Sequence, residues 1–134
     1  MKKIEHIGIA VKDIVASNDL FSKLFGKPHY KIEAVESEGV MTSFFKAGPN
    51  KVELLQATNE NSPIAKFIEK KGEGIHHIAF AVTDIKKEIV RLQGEGFKMI
   101  HEKPKKGADN KLIAFLHPKA TNGVLIELCQ DIKE

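Results

Sequence analysis

The fold can be inferred from the stretch Ile4-Glu5-His6-Ile7-Gly8-Ile9-Ala10-Val11-Lys12-Asp13-Ile14, because the chain contains a second copy of it. That copy is Ile75-His76-His77-Ile78-Ala79-Phe80-Ala81-Val82-Thr83-Asp84-Ile85, displaced by 71 residues, so that His77 stands where His6 stands. Self-similarity at a fixed spacing indicates one structural unit that is used twice. We therefore expect two similar modules, each with one histidine at the same place.

Both copies alternate between bulky residues and small or polar ones, which is typical of a β-strand with two different faces. In the first copy Ile7, Ile9 and Val11 share one face. In both copies the opposite face carries the histidine, followed only by glycine or alanine. We expect the bulky faces to pack against helices and the histidine faces to form the floor of a cleft.

A second pair of matching strands carries glutamate. Val52-Glu53-Leu54-Leu55-Gln56 aligns with Ile126-Glu127-Leu128-Cys129-Gln130 at an offset of 74 residues. The three additional residues fall in a turn around 119–123, where an insertion costs little. Charged residues amid apolar neighbours are rarely buried unless they are paired or bind a metal. The glutamates therefore join the histidines as candidate ligands.

Two histidines and two glutamates, one of each per module, are the set that a pseudo-twofold metal site needs: His6, Glu53, His77 and Glu127. Taken singly, a strand histidine is more often a hydrogen-bonded structural residue, and a strand glutamate usually faces water. Four such residues related by one repeat favour a shared divalent ion. Imidazole nitrogen and carboxylate oxygen without thiolate suit zinc, cobalt, nickel, manganese or iron(II).

Composition restricts the classes of function. A chain of 134 residues with 42% hydrophobic and 29% charged residues is expected to form one soluble globular domain. A net charge of +3, with scattered lysines, argues against a nucleic-acid partner and suits a small anionic ligand. The single cysteine, Cys129, excludes an internal disulfide framework, and packing is its expected role. With neither a signal peptide nor a bilayer-spanning apolar run, we expect a cytoplasmic protein without a membrane partner.

The periodicity between the two copies predicts the remaining elements. The first helix, 15–25, is expected to be capped by Asp13 and ended by Gly26. Ser62-Pro63 is expected to open a bridging helix within 59–72. The other predicted elements are strands at 30–35, 40–47 and 51–56, a helix at 86–94, strands at 97–101, 112–116 and 123–129, and a mobile polar loop at 102–110.

The expected fold is therefore α+β, with two βαβββ modules forming one curved mixed sheet around a metal-binding cleft. The modules span 1–58 and 73–134, and the bridging helix 59–72 joins them within the single domain 1–134.

Several segments, taken together, resemble a known family. They are His6-Ile7-Gly8-Ile9-Ala10-Val11, Val52-Glu53-Leu54-Leu55, Ser62-Pro63-Ile64-Ala65-Lys66-Phe67, Gly74-Ile75-His76-His77-Ile78-Ala79, Phe115-Leu116-His117-Pro118-Lys119 and Gly123-Val124-Leu125-Ile126-Glu127-Leu128. The duplicated unit is similar to the vicinal oxygen chelate superfamily, which includes glyoxalase I, extradiol dioxygenases and fosfomycin-resistance enzymes. Over nearly the whole chain the segments resemble the methylmalonyl-CoA epimerase family within it.

The resemblance implies a reaction, a cofactor and a substrate class. The R and S epimers of methylmalonyl-CoA would be interconverted by removal and return of the C2 proton, through an enediolate. The family's metal ligands fall on His6, Glu53, His77 and Glu127, and some epimerases have glutamine in place of Glu53. The resemblance also implies an acyl-CoA substrate, a divalent cobalt, zinc, manganese or nickel ion, and a homodimer.

The two faces of a planar enediolate require two proton-transfer groups. We expect Glu127 to be one base while it also binds the metal, and Glu53 to be the symmetric candidate for the other. Some epimerases place a glutamate where this chain has Thr42, which cannot act as a base. Glu36 and Glu38 lie nearby in sequence, but a solvated turn is their expected position.

Alternatives remain for the function and for several polar residues. Glyoxalase I is the second enzymatic hypothesis, and a ligand-binding protein of the same fold is the non-enzymatic one. An iron dioxygenase is less favoured because its site uses only one carboxylate. For His117 and Lys119 two roles are considered: stabilising a turn and contacting the substrate carboxylate. His76 is expected in the core, and four lysines are open between a solvated surface and coenzyme A phosphates: Lys103, Lys105, Lys106 and Lys111.

Overall fold

A computed structural model describes residues 1–132. The chain divides into two compact units, a first unit of His6–His76 and a second unit of Met1–Glu5 with the residues from His77 onward. The helices and strands are β1 Lys3–Ala10, α1 Ile14–Phe25, β2 Lys31–Val35, β3 Val40–Ala47, β4 Asn50–Ala57, α2 Pro63–Lys71, β5 Gly74–Ala81, α3 Ile85–Gly94, β6 Lys105–Lys106, β7 Lys111–Phe115 and β8 Ile126–Asp131. The predicted βαβββ order is confirmed in both halves of the chain.

The first unit forms a mixed sheet in the order β2-β3-β4-β1, in which β1 and β4 are parallel and the other pairs are antiparallel. Helix α1 packs on one face, where Phe21 and Phe25 meet Phe45 and Leu54. Helix α2 packs through Ile64 against residues of the other face, among them Ala10 and Leu55. Ala10 and Leu55 are in register at the end of the β1–β4 pair opposite to His6.

The second unit repeats this arrangement in the order β5-β8-β7-β6, with β5 and β8 parallel. Helix α3 buries Ile85, Ile89 and Leu92 against apolar side chains of the strands, including Leu128. The opposite face is lined by a smaller apolar cluster of Ala79, Ile113 and Cys129. Cys129 is buried, which agrees with a packing role.

The predicted helix ends are confirmed, because each lies at a residue with the required chemistry. The Asp13 carboxylate accepts hydrogen bonds from the backbone N–H groups of Val15 and Ala16, which is the N-cap interaction. Gly26 ends α1 at φ 73°, a left-handed conformation that glycine adopts without steric cost. The Ser62 hydroxyl is the N-cap of α2, directly before Pro63, and accepts a hydrogen bond from the Ile64 N–H. No helix among residues 1–132 is long and apolar enough to cross a membrane.

Three predictions in the second module are wrong in detail. The strand at 97–101 is reduced to one isolated bridge between Met99 and Leu116. The first strand after α3 is instead β6, which lies inside the segment 102–110 that was predicted as a loop. It forms there because the chain turns back at Gly107. A Cβ at Gly107 would lie 2.7 Å from Ile113 Cδ1, so a side chain at this position would require Ile113 to shift. Strand β8 begins at Ile126 and not at residue 123, because Asn122 and Gly123 adopt left-handed turn conformations.

Candidate metal centre and active site

The first candidate pair joins neighbouring parallel strands of the first unit. His6 lies on β1 and Glu53 on β4, where Glu53 is in register with Gly8. The His6 Nδ1 and Glu53 Oε2 atoms are 3.1 Å apart, and the residues are 5% and 4% exposed. Since the next two residues on this face of β1 are Gly8 and Ala10, no large side chain separates the imidazole from the carboxylate.

The second candidate pair has the same construction in the second unit. His77 lies on β5 and Glu127 on β8, where Glu127 is in register with Ala79. The His77 Nε2 and Glu127 Oε1 atoms are 3.3 Å apart, and both residues are 5% exposed. The internal repeat of the sequence is therefore reproduced as a repeated contact between an imidazole and a carboxylate.

Both pairs have the chemistry of a metal half-site. A carboxylate removed from water is costly unless a hydrogen-bond donor or a cation compensates it. Each pair brings one imidazole nitrogen and one carboxylate oxygen together in a buried position. These donor types, without a thiolate, fit borderline divalent cations.

An aromatic ring lies beside each carboxylate on the neighbouring antiparallel strand. Phe44 is in register with Glu53, and Phe115 is in register with Glu127. The Phe115 ring stands edge-on to His77, with ring centroids 5.6 Å apart at 87°. Such rings exclude water from the carboxylates, which strengthens every electrostatic interaction there.

Thr42 lies on the same face of the sheet as Glu53, one strand away. It is 1% exposed, and its Oγ1 atom has no hydrogen-bond partner within residues 1–132. The Thr42 Cα is in register with Glu33 on β2 and with Leu55 on β4. Glu36 and Glu38 form a short 3₁₀ turn, as the sequence predicted.

The lower-ranked residues are found in surface turns and in local packing. The His117 Nδ1 accepts a hydrogen bond from the Lys119 backbone N–H at 3.2 Å, which caps the 3₁₀ turn Pro118–Thr121. This contact favours a turn-stabilising role for His117, and a substrate role for His117 or Lys119 stays a prediction. The His76 ring stands edge-on to Phe67, with centroids 5.0 Å apart, which agrees with a packing role.

Three buried or bridging residues escaped the sequence reasoning. Glu5 is only 5% exposed, although strand alternation placed it beside bulky residues and no pattern marked it as special. Gln56 and Gln130 accept backbone hydrogen bonds from the first residues of α1 and α3. The repeat aligned these two glutamines, so the signal was present in the sequence.

Comparison with known proteins identifies the class. The model of the Glyoxalase/Bleomycin resistance protein/Dioxygenase superfamily matches residues 5–115. The uncharacterized protein YqjC of Bacillus subtilis is 39% identical, covering 97% of this chain and 93% of that protein. The chain belongs to this superfamily, whose enzymes typically use a divalent metal, and the expected α+β fold is confirmed.

Two further relatives narrow the class to one family. The ethylmalonyl-CoA/methylmalonyl-CoA epimerase of Cereibacter sphaeroides is 38% identical, covering 96% of this chain and 97% of that protein. A variant of the Streptomyces coelicolor methylmalonyl-CoA epimerase, solved with 2-nitronate-propionyl-CoA, has a TM-score of 0.94 and 33% identity over 98% of this chain and 95% of that one. Within the superfamily, the chain is a member of the methylmalonyl-CoA epimerase family, as its resemblance indicated.

Proposed function

We propose that this protein is an isomerase that interconverts the R and S epimers of methylmalonyl-CoA by removing and returning the proton at C2. The observation that carries the proposal is the pair of buried imidazole–carboxylate contacts, His6 with Glu53 and His77 with Glu127, which the internal repeat relates. The relatives named as methylmalonyl-CoA epimerases support the substrate class, an acyl-CoA thioester.

We assign one divalent metal site to His6, Glu53, His77 and Glu127. Cobalt, zinc, manganese and nickel all suit two imidazole nitrogens with two carboxylate oxygens. When bound, such an ion supplies Lewis-acid stabilisation of the negative charge that develops on the thioester and carboxylate oxygens of the substrate.

The carboxylates of Glu127 and Glu53 perform the proton transfers. The first base takes the C2 proton: the C–H bond breaks, an O–H bond forms on the carboxylate, and the electron pair enters the enediolate. The second glutamate enters this step protonated: its O–H bond breaks, the proton passes to C2 on the other face of the planar intermediate, and the inversion is complete. The imidazole nitrogens lie 3.1 and 3.3 Å from the two carboxylates, and burial keeps water from protonating the intermediate.

Several wider assignments belong to the same proposal. We assign residues 1–134 to one domain, with modules 1–58 and 73–134 and the bridging helix in 59–72. The protein acts in the cytoplasm as a homodimer, without a nucleic-acid or membrane partner. His117 and Lys119 follow β7 on the connection to β8, the strand of Glu127, and we propose that they contact the substrate carboxylate in addition to forming the turn that His117 caps.

Deuterium exchange at C2 tests the proposal. One epimer of methylmalonyl-CoA is incubated in D₂O with the protein and Co²⁺, and mass and configuration at C2 are followed by mass spectrometry and NMR. We expect deuterium at C2 together with formation of the other epimer. Absence of exchange in the metal-loaded protein would contradict the proposal. The hemithioacetal of methylglyoxal and glutathione, offered in parallel, tests the glyoxalase hypothesis, and its turnover in place of epimerisation would favour that reaction.

A further inference from the structure

A side-chain hydrogen bond extends the backbone ladder between the histidine strand and the glutamate strand in both units. In the first unit the Val11 N–H donates to the Leu55 carbonyl at 2.9 Å, where β1 has already ended. Three residues later the Ile14 N–H donates to the side-chain Oε1 of Gln56 at 2.7 Å. A backbone donor at the start of α1, three residues beyond Val11, is thus bound by the residue that follows Leu55.

The second unit contains the same two contacts. The Val82 N–H donates to the Cys129 carbonyl at 2.8 Å, and the Ile85 N–H donates to Gln130 Oε1 at 2.7 Å. The donors are related by the 71-residue offset and the acceptors by the 74-residue offset. Both glutamines stand three residues after a proposed metal-binding glutamate, on the same strand. The contact therefore belongs to the repeated unit and not to one local turn.

Helix capping alone does not account for these glutamines. Each helix already has its own cap, since Asp13 accepts from the first turn of α1 and Asp84 accepts from the Lys87 N–H of α3. The aspartates precede their helices directly in the chain, whereas each glutamine comes from the strand that carries the carboxylate. A glutamine bond therefore restrains the histidine strand against the glutamate strand, and an aspartate cap does not.

We propose that Gln56 and Gln130 are positioning residues that lock each histidine strand in register with its glutamate strand, and so set the geometry of the two metal half-sites. The inference rests on the proposed metal-dependent function. Residues along a strand are spaced by about 3.3 Å, so a slide of a fraction of one residue is enough to separate an imidazole from its carboxylate. The slide is transmitted directly, because the carboxylate and the glutamine share one rigid strand.

The glutamine hydrogen bond is expected to contribute more to the strand register in the second unit than in the first. Strands β5 and β8 have four residue pairs in register, whereas β1 and β4 have five. The shorter ladder offers less resistance to sliding once the side-chain bond is removed. We therefore expect a substitution of Gln130 to perturb its half-site more strongly than the same substitution of Gln56.

The test compares Gln130→Leu with two controls in the full-length protein. Gln130→Glu keeps a side-chain oxygen acceptor at the same place, next to a helix N-terminus that favours negative charge. Asp84→Ala removes the cap of the same helix and is expected to leave the Ile85–Gln130 bond between α3 and β8 in place. The three variants therefore separate a loss of helix capping from a loss of the strand restraint.

Two measurements are made on each variant, well below its melting temperature. The first is amide hydrogen exchange at Val82 in metal-free protein, which reports opening of the β5–β8 ladder. The second is the Co²⁺ dissociation constant, with the visible spectrum of the bound ion. We expect Gln130→Leu to accelerate exchange at Val82 and to raise the dissociation constant by roughly 10-fold, the lower end of the effect known for residues that orient metal ligands. Gln130→Glu and Asp84→Ala should leave both quantities close to wild type.

Equal changes of the exchange rate and the dissociation constant in Gln130→Leu and Asp84→Ala would overturn the proposal, because they would show that the glutamine acts only as a helix cap. Unchanged exchange at Val82 in Gln130→Leu would overturn it as well. A wild-type protein that binds no Co²⁺ would refute the metal part of the proposed function, and the exchange measurement would still decide whether the strand lock exists. The two failures are therefore distinguishable.

Discussion

Replacing one catalytic glutamate by glutamine should separate proton exchange from epimerisation. Glu127→Gln keeps the shape of the side chain and an amide oxygen near His77, but removes the group that accepts the C2 proton. In the two-base mechanism the epimer that Glu127 deprotonates becomes inert. The other epimer is still deprotonated by Glu53 and is reprotonated on the same face, so it exchanges without inversion.

The expected magnitude follows from burial. Glu127 is 5% exposed and lies beside Phe115, so water cannot take over as the base. We therefore expect kcat/KM for epimerisation to fall by about 10²–10⁴-fold, the usual contribution of a general base. This corresponds to roughly 3–5 kcal/mol of transition-state stabilisation. The exposed Glu36, substituted in the same way, should change the rate by less than about twofold, because surface substitutions away from special features have small effects.

The assay follows deuterium uptake and configuration at C2 separately, starting from each pure epimer and at saturating Co²⁺. Glu127→Gln and Glu53→Gln should give mirror-image results, each exchanging a different epimer. Loss of exchange from both epimers in either metal-loaded variant would refute the division of roles between the two glutamates. Retention of normal epimerisation in either variant would remove that glutamate from the chemistry.

Three further outcomes are expected. His77→Ala should raise the Co²⁺ dissociation constant by at least about 10-fold, measured by calorimetry, because it removes one metal donor; unchanged affinity would exclude His77 as a ligand. Thr42→Val should change the rate of epimerisation by less than about threefold and the free energy of unfolding by less than about 1 kcal/mol, because the hydroxyl has no hydrogen-bond partner within residues 1–132. A 100-fold loss of rate would instead assign the hydroxyl a direct role. Gly39→Ala should lower the free energy of unfolding, measured with denaturant, by about 2–4 kcal/mol, because φ is +64° and the added Cβ would lie 3.0 Å from Ser62 Cβ. The control Gly48→Ala has the same φ but open space around it, and should lower that free energy by about 1–2 kcal/mol. Equal losses in the two variants would contradict the packing argument.

The internal repeat allowed the fold to be predicted in most of its elements. Matched alternation placed β1 and β5, and the capping signals at Asp13 and Gly26 fixed the first helix to within one residue. The same repeat assigned one histidine and one glutamate to each module, and the structure brings these together as His6 with Glu53 and His77 with Glu127. Helix capping, strand alternation and the internal repeat were sufficient to predict these elements and residues.

The remaining details depended on tertiary contacts that no local pattern encodes. The apolar run around Met99 resembles a strand, but only one bridge to Leu116 forms, and β6 lies several residues later. The close packing of Gly107 on Ile113 is visible only when both segments are folded. The burial of Glu5 was likewise unpredictable, since alternation treats it as one residue among bulky neighbours.

The most direct test is anomalous diffraction from crystals grown with Co²⁺, combined with the measured number of ions per chain. We expect one ion for each chain, bonded to His6, Glu53, His77 and Glu127 together. Two ions per chain, one at each imidazole–carboxylate pair, or a single ion that leaves either pair unbound, would contradict it.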